Sequence, residues 1–175
     1  MTHVAREVLE DCRLALHMLE EEADLQRWRI LWAGAVALVR AVGHVLDKVD
    51  GEDATVKKVA REFFNGWKSG ADHMIFREFI ERERNNLLKE YQSDVHPLDA
   101  VQVVVQMPLV PVNGGEPKTI AEVFDLNDNV YRPLLDGPWE GIDGREVLGE
   151  AIGWWSSQLE AIDSEVTRRR KAEHG

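Results

Sequence analysis

The chain contains one cysteine among its 175 residues, and this scarcity excludes several classes of protein. A single thiol cannot form an internal disulfide, so the disulfide-stapled secreted folds are ruled out. Cys12 stands at helical spacing among four apolar residues: Val4, Val8, Ala15 and Leu19. We therefore expect Cys12 to lie in the core of a protein that stays reduced, as in the cytoplasm.

Basic residues are also in short supply. Lys and Arg together number 21 against 32 Asp and Glu, which gives a formal net charge of -11. A field of this sign repels nucleic acids and anionic membranes and favours basic protein partners. Any contact with RNA would have to be local.

A long uninterrupted apolar run is missing as well. The charged N-terminus lacks the apolar segment of a secretory signal. The most apolar stretch, "ILWAGAVALVRAVGHVL", reaches Arg40 after ten residues and His44 soon after. A stretch of this kind is too short and too polar to cross a bilayer. We therefore expect a cytoplasmic protein that makes no contact with a membrane.

The familiar metal and phosphate motifs are missing too. No Glu-x-x-His repeat of the di-iron bundles occurs, and His73 and His96 are far along the chain from any cysteine or second histidine. The run "GGEPKT" lacks the spacing of a phosphate-binding loop and is typical of a turn. The sequence therefore predicts no metal and no cofactor.

Helical periodicity is what the sequence does have. Apolar residues recur at spacings of three and four in five segments: 3–24, 25–49, 54–66, 70–92 and 144–171. The second segment is apolar almost all round, which predicts the central helix. Asp53 and Asp143 are placed to cap the third and fifth helices. We predict a mainly α fold, a bundle of about five helices.

The segment between the fourth and fifth helices has a different character. "AVQVVVQMPLVPV" alternates apolar and polar residues, which predicts a half-buried strand, and its prolines indicate an edge. "NGGEPK" predicts a turn, and Thr119 and Glu122 have the spacing of a capping box for a short helix. The chain is thus predicted to be a single domain, 1–175, with a small strand-bearing insertion at about 98–142.

The last predicted helix carries a regular apolar seam of six residues: Leu148, Ile152, Trp155, Leu159, Ile162 and Val166. Trp154 points about 100° away from Trp155 on a helical wheel, so we expect it to stay exposed. A seam of this kind with an exposed tryptophan beside it predicts a homodimer that buries helical surface.

A polar cluster interrupts the fourth helix at "FIERERNN". On a helical wheel Glu83 falls on the apolar face, with Arg84 and Asn86 at its edges. A buried carboxylate must meet a cation or hold a proton, and Arg40 on the second helix is the predicted partner, with His44 one turn further on. One interpretation is an ion pair that orients two helices; the other is a catalytic or binding cleft.

The "ERERNN" segment resembles the motif region of the HEPN superfamily (higher eukaryote and prokaryote nucleotide-binding domains). The likeness covers residues 70–92 by motif, and Arg84 with Asn85 matches its first half. The resemblance implies an all-helical bacterial domain, often a ribonuclease of toxin–antitoxin or defence systems with its site at a dimer interface. The motif histidine is absent, because Lys89, Glu90 and Tyr91 occupy the positions where it would follow Arg84.

Two hypotheses follow. The first, which the missing histidine and the acidic surface favour, is a non-catalytic, HEPN-like interaction or regulatory module that forms a homodimer and binds a protein partner, using its spare edge strand. The alternative is a metal-independent ribonuclease or nucleotide-binding enzyme. There Arg84 and Asn86 would hold phosphate while Glu83 or His44 moves protons, with Arg40 lining the same cleft.

Overall fold

The computed structural model describes residues 1–83, 85, 95, 101–126, 129 and 131–173. Over these residues the chain is mainly helical, which confirms the predicted fold class. The helices are α1 (His3–Glu21), α2 (Leu25–Lys48), α3 (Ala54–Trp67), a π-helix that we label π1 (Ile75–Glu81), and α4 (Gly144–Glu173). Short 3₁₀ turns, Asp50–Glu52 and Ala71–His73, lead into α3 and π1.

Helix α2 is central, as predicted. Asp24 caps it by accepting a hydrogen bond from the Arg27 backbone N–H at 2.8 Å. The residues that this helix buries are Trp28, Trp32, Ala35, Val36, Val39, Val42 and Leu46. By composition alone, Leu25–Glu52 is long and apolar enough to cross a membrane. The core helix of a folded bundle meets the same criterion, so this property does not decide between the two.

The N-terminus of α1 is capped by carboxylates from distant parts of the chain. Asp50 accepts hydrogen bonds from the backbone N–H groups of Val4 and Ala5, at 3.0 and 2.9 Å. Asp163 on α4 accepts from both the backbone and the hydroxyl of Thr2. These bonds satisfy N–H groups that a helix leaves without partners in its first turn. They fasten α1 to the rest of the bundle, and Cys12 is fully buried in α1, as predicted.

Helix α4 buries its whole apolar seam inside the chain. All six seam residues are at most 5% exposed, and α4 packs against α1, α2 and α3. Asp143 accepts from the Arg145 backbone N–H at 2.9 Å, which confirms it as the cap. The seam is therefore part of the monomer core and offers no surface to a second copy.

The insertion contains an antiparallel hairpin of two strands, β1 (Val101–Leu109) and β2 (Lys118–Leu126). The register runs without a break from Val101 opposite Leu126 to Leu109 opposite Lys118. Gly114, at φ 76°, closes the turn predicted at "NGGEPK". The short helix predicted from Thr119 and Glu122 is wrong. The spacing of Ile120, Val123 and Phe124 suits a helix too, and pairing with β1 decides the outcome.

The hairpin and the residues that follow it differ sharply in burial. Every side chain from Gln102 to Leu109 is exposed, so the predicted half-buried strand is wrong in its burial. Residues 131–143, by contrast, cover one end of the bundle. Leu134 is 5% exposed, and the Arg132 guanidinium lies 5.4 Å from the centre of the Trp28 ring. Part of the insertion belongs to the core, and part stands outside it.

Candidate functional site

Glu83 is buried on the core face of the bundle, as predicted. It is 2% exposed, and the Trp32 indole Nε1–H donates a hydrogen bond to its Oε1 at 2.9 Å. Helix α2 supplies Trp32, so this bond joins the second helix to the turn that follows π1. The sequence predicted the burial of Glu83 but did not predict the tryptophan as its donor.

Arg40 is predicted to pair with Glu83, and this pairing stays a prediction; the contact described for Arg40 is with Glu81. Its Nη2 lies 3.8 Å from Glu81 Oε1, and its side chain is 18% exposed. The wide turn of π1 affects which residues face Arg40. A π-helix bonds residue i to i+5, so residues after it are shifted from the positions that a regular helical wheel assigns. Such π-helical segments occur frequently at functional sites.

Arg84 and Asn86 lie outside the described residues. The cleft that they were predicted to edge with Glu83 therefore stays a prediction, as does the Arg84 half of the HEPN-like motif. Asn85, the other member of that half, is helical and half-buried.

His44 and Arg40 line one cavity, of about 480 Å³. Its walls come from α2, α3, π1 and α4, and they carry four aromatic side chains: Phe64, Trp67, Phe76 and Trp155. Glu83 lines a different, much smaller hollow, beside Arg82, Asp136 and Trp139. Arg40 and His44 thus line the larger cavity, and Glu83 lines the smaller hollow.

Trp154 is not the exposed residue that the helical wheel predicted. It is half-buried, and its Nε1–H donates to His73 Nδ1 at 3.2 Å. Its ring centre lies 4.9 Å from that of Trp155 and 5.1 Å from that of Trp67. The connection before π1, which carries His73, covers it. Trp154 therefore belongs to an aromatic cluster within the monomer.

An open apolar surface lies on one face of the hairpin. Cross-strand partners share a face, so β1 and β2 together present six large apolar side chains on one side: Val103, Val105, Met107, Leu109, Ile120 and Phe124. We call these six residues the hairpin face. Each is between 38% and 49% exposed. The opposite side is mixed, and there Gln102 donates to Asp125 Oδ1 at 2.7 Å.

Two charged residues also lie on the side of the hairpin face, Lys118 and Glu122. Each is two positions from Ile120, which pairs with Met107. Sequence reasoning found β1 and missed β2, and therefore missed this face. The alternation of apolar residues in β1 indicates one half of this face. The other half, Ile120 and Phe124, can be recognised only when β2 is known to be a strand.

Several negative findings complete the description of the site. No group of three or more His, Cys, Asp or Glu side chains is placed to hold a metal ion within the described part of the chain. Burial raises the pKa of the Cys12 thiol to about 12, so this residue stays protonated in the core. No protein-family model, no curated protein and no solved structure matches the chain.

Proposed function

We propose that the chain is a non-catalytic protein-interaction module that pairs with a second copy of itself through the hairpin face. The observation that carries this proposal is the exposure of six large apolar side chains on one side of β1 and β2. Contiguous apolar surface of this kind marks interaction sites in soluble proteins. The seam of α4, from which we first expected a dimer, is buried within the monomer.

A hairpin of two strands needs a cover to be stable. An isolated pair of strands is marginal in water, and stability comes from a third strand or from packing against another layer. Every described side chain of β1 and β2 is exposed. A second hairpin laid face to face on the first supplies the missing layer and covers apolar residues of both copies.

The charges beside the hairpin face, those of Lys118 and Glu122, favour a second copy of the chain as the binding partner. A two-fold axis through the Ile120–Met107 pair, running across the strands, reverses the strand direction of the partner. It therefore brings Lys118 of one copy opposite Glu122 of the other, twice in the dimer. Such an interface is self-complementary, as a two-fold contact requires. A parallel axis through the Val105–Glu122 pair would place Glu122 opposite its own copy, and an axis along the strands would place it opposite the apolar residues of β1.

The acidic surface does not oppose this contact. Most of the 32 acidic residues lie outside 101–126, which contains only Glu116, Glu122 and Asp125 together with Lys118. The hairpin is thus the weakly charged part of a strongly acidic molecule. Charge repulsion between two copies is therefore weaker where the hairpins meet.

A charge exchange tests the proposal. Glu122→Lys places two lysines beside each hairpin face, and we expect it to weaken self-association because like charges then meet across the axis. The double variant Lys118→Glu with Glu122→Lys restores opposite charges, and we expect it to associate again. Glu116→Lys makes the same charge change in the loop and should leave association unchanged. Sedimentation equilibrium measures all four proteins.

The outcomes separate the proposal from its competitors. Association that follows net charge alone, with Glu116→Lys and Glu122→Lys behaving alike, would contradict the face-to-face arrangement. The ribonuclease alternative stays a prediction, since Arg84 and Asn86 lie outside the described residues. It would replace the proposal if a monomeric protein cleaved cellular RNA and lost that activity on Glu83→Gln.

A further inference from the structure

A groove on the surface of the bundle lies between α4 and the turn that leads into π1. Its volume of about 370 Å³ falls within the range of about 300 to 1,000 Å³ that is typical of small-molecule sites. None of its lining residues belongs to the hairpin. An inference from this groove therefore goes beyond the proposed interaction function and does not depend on it. Six lining residues supply charge, ring surface or space: Asp72, Met74, Trp139, Glu150, Gly153 and Trp154.

One face of α4 forms a wall of the groove. Glu150, Gly153, Trp154 and Ser157 recur along the helix at spacings of three and four, so they share this face. A Cβ at Gly153 would have no atom within 4 Å. The missing side chain therefore leaves open space next to Trp154.

The charged residues of the groove are acidic. Within the described part of the chain, its lining contains two carboxylates, those of Asp72 and Glu150, and no lysine or arginine. Both side chains are exposed, and the whole chain has a formal net charge of -11. The local charge and the field of the whole molecule thus have the same sign, and both favour a cation.

Two tryptophans contribute ring surface to the groove. Trp139 and Trp154 are half-buried, so part of each ring stays accessible. Their N–H groups already have acceptors. Trp139 Nε1–H donates to Glu150 Oε2 at 3.1 Å, and Trp154 Nε1–H donates to His73 Nδ1 at 3.2 Å. The face of an indole attracts a cation more strongly than that of any other aromatic side chain.

The bond between Trp139 and Glu150 brings a ring and a negative charge to the same place. It holds the carboxylate at the edge of the indole, so a cation that packs on the ring also lies near the charge. A quaternary ammonium group suits this arrangement, because its charge is spread over methyl groups that pack on a ring and it has no N–H that requires an acceptor.

We propose that this groove binds a small, free quaternary ammonium compound, with its methyl groups against Trp139 and Trp154 and its charge beside Glu150. Asp72 adds a second negative charge, and Met74, which is 42% exposed, adds apolar surface. A phosphate attached to the same molecule would be repelled by the two carboxylates, which disfavours a phospholipid headgroup. No covalent step is involved.

The test compares a charged probe with a neutral one of the same shape. Two-dimensional proton–nitrogen NMR of the full chain at pH 7 follows the indole N–H signals of Trp139 and Trp154 during titration with choline and with 3,3-dimethyl-1-butanol. We expect choline to bind about tenfold more tightly, because only its charge is attracted by the rings and the carboxylates. Equal affinity of the two probes, or no shift of either signal at about 10 mM choline, would overturn the proposal.

A charge variant locates the cation. Glu150→Gln removes the negative charge and keeps an acceptor oxygen for the Trp139 N–H, and we expect choline affinity to fall about tenfold with little change for the neutral probe. Glu160→Gln is the matched control, since it makes the same change on the same helix and does not line the groove. If the two variants had the same choline affinity, the placement of the charge beside Glu150 would be wrong.

A steric variant locates the groove. Gly153→Leu fills the open space on α4, and we expect it to abolish choline binding without loss of stability, because Leu favours a helix more than Gly does. Gly34→Leu is the matched control. A Cβ at Gly34 also has no atom within 4 Å, but this residue lies on α2 and outside the groove. Wild-type choline affinity in Gly153→Leu would contradict the proposal.

Two further measurements separate this site from other sources of binding. Ile120→Asp, in the hairpin, should leave choline affinity unchanged; if it abolished binding, the site would belong to the paired hairpins and the groove proposal would fail. Co-sedimentation with phosphatidylcholine vesicles tests the lipid headgroup, and we expect the protein to stay in the supernatant. A protein that pelleted with the vesicles and did not bind free choline would overturn the assignment to a free compound.

Discussion

Helix α4 and the hairpin carry apolar patterns of similar regularity, and the structure puts them in opposite environments. The seam of α4 is at most 5% exposed, whereas the residues of the hairpin face are between 38% and 49% exposed. Both patterns are visible in the sequence as periodicity, at 3.6 residues for the helix and two for β1. Periodicity therefore identifies which side of an element is apolar, and it leaves open what covers that side.

The difference has a structural cause. Helix α4 is surrounded by α1, α2 and α3, so its seam is covered by the same chain. The hairpin contains two strands and no further layer among the described residues. The hairpin therefore presents an apolar face that no described part of the same chain covers.

The largest expected effect is a loss of stability from a change in the buried seam of α4. Leu159→Ala in α4 removes a side chain that is fully buried, and we expect it to lower the free energy of unfolding by about 2 to 5 kcal/mol. Leu109→Ala makes the same change in the hairpin, at a residue that is 49% exposed. In dilute, monomeric protein we expect it to stay within about 0.5 kcal/mol of wild type. Urea denaturation measures both, and equal losses would remove the distinction between the two regions.

The second effect concerns the buried carboxylate. Glu83→Ala leaves the Trp32 Nε1–H without its acceptor, and we expect a loss of about 1 to 3 kcal/mol. Glu83→Gln keeps an acceptor oxygen and should be milder. A double-mutant cycle with Trp32→Phe should be less than additive, because the two residues share one hydrogen bond. Additivity of that pair, together with coupling between Glu83 and Arg40, would favour the ion pair that the sequence predicts.

The third effect concerns the acid stability that Asp143, the cap of α4, contributes, compared with an aspartate of the exposed hairpin. Burial alone would raise the pKa of Asp143, but hydrogen bonds from the Arg145 side chain and from the Arg132 and Arg145 backbone outweigh it, so the pKa lies below its ordinary value of 3.8. A carboxyl group with a lowered folded pKa contributes stability above its ordinary pKa and loses that contribution as the pH falls through the folded one. Asp143→Asn should therefore flatten the acid limb of the stability curve. Asp125→Asn, in the exposed hairpin, serves as the control, and an unchanged acid limb in Asp143→Asn would contradict the account.

The parts of the fold that could be predicted are those in which local signals agree. The five helical segments, the caps Asp53 and Asp143, and the α4 seam follow from spacing and capping chemistry that act over a few residues. Strand β2 could not be predicted, because Ile120, Val123 and Phe124 fit a helix as well as a strand. Its pairing with β1 is a contact between distant residues.

The candidate site was predicted only in pieces. The burial of Glu83 followed from its position on an apolar face, but the Trp32 indole as its donor did not, because Trp32 lies on another helix, far away along the chain. Arg40 and His44 were identified one turn apart on α2. The aromatic residues that form a cavity with them come from α3, π1 and α4, and no single segment reveals that they meet.

The association state of matched hairpin variants tests the central claim most directly. We expect wild-type protein to form a reversible dimer at concentrations of about 10 to 100 µM in sedimentation equilibrium. Ile120→Asp places a charge at the centre of the hairpin face and should give only monomer, whereas Val123→Asp places the same charge on the opposite side of β2 and should associate like wild type. A wild-type protein that stays monomeric throughout this range, or two variants that behave alike, would contradict the claim that this face is the site of interaction.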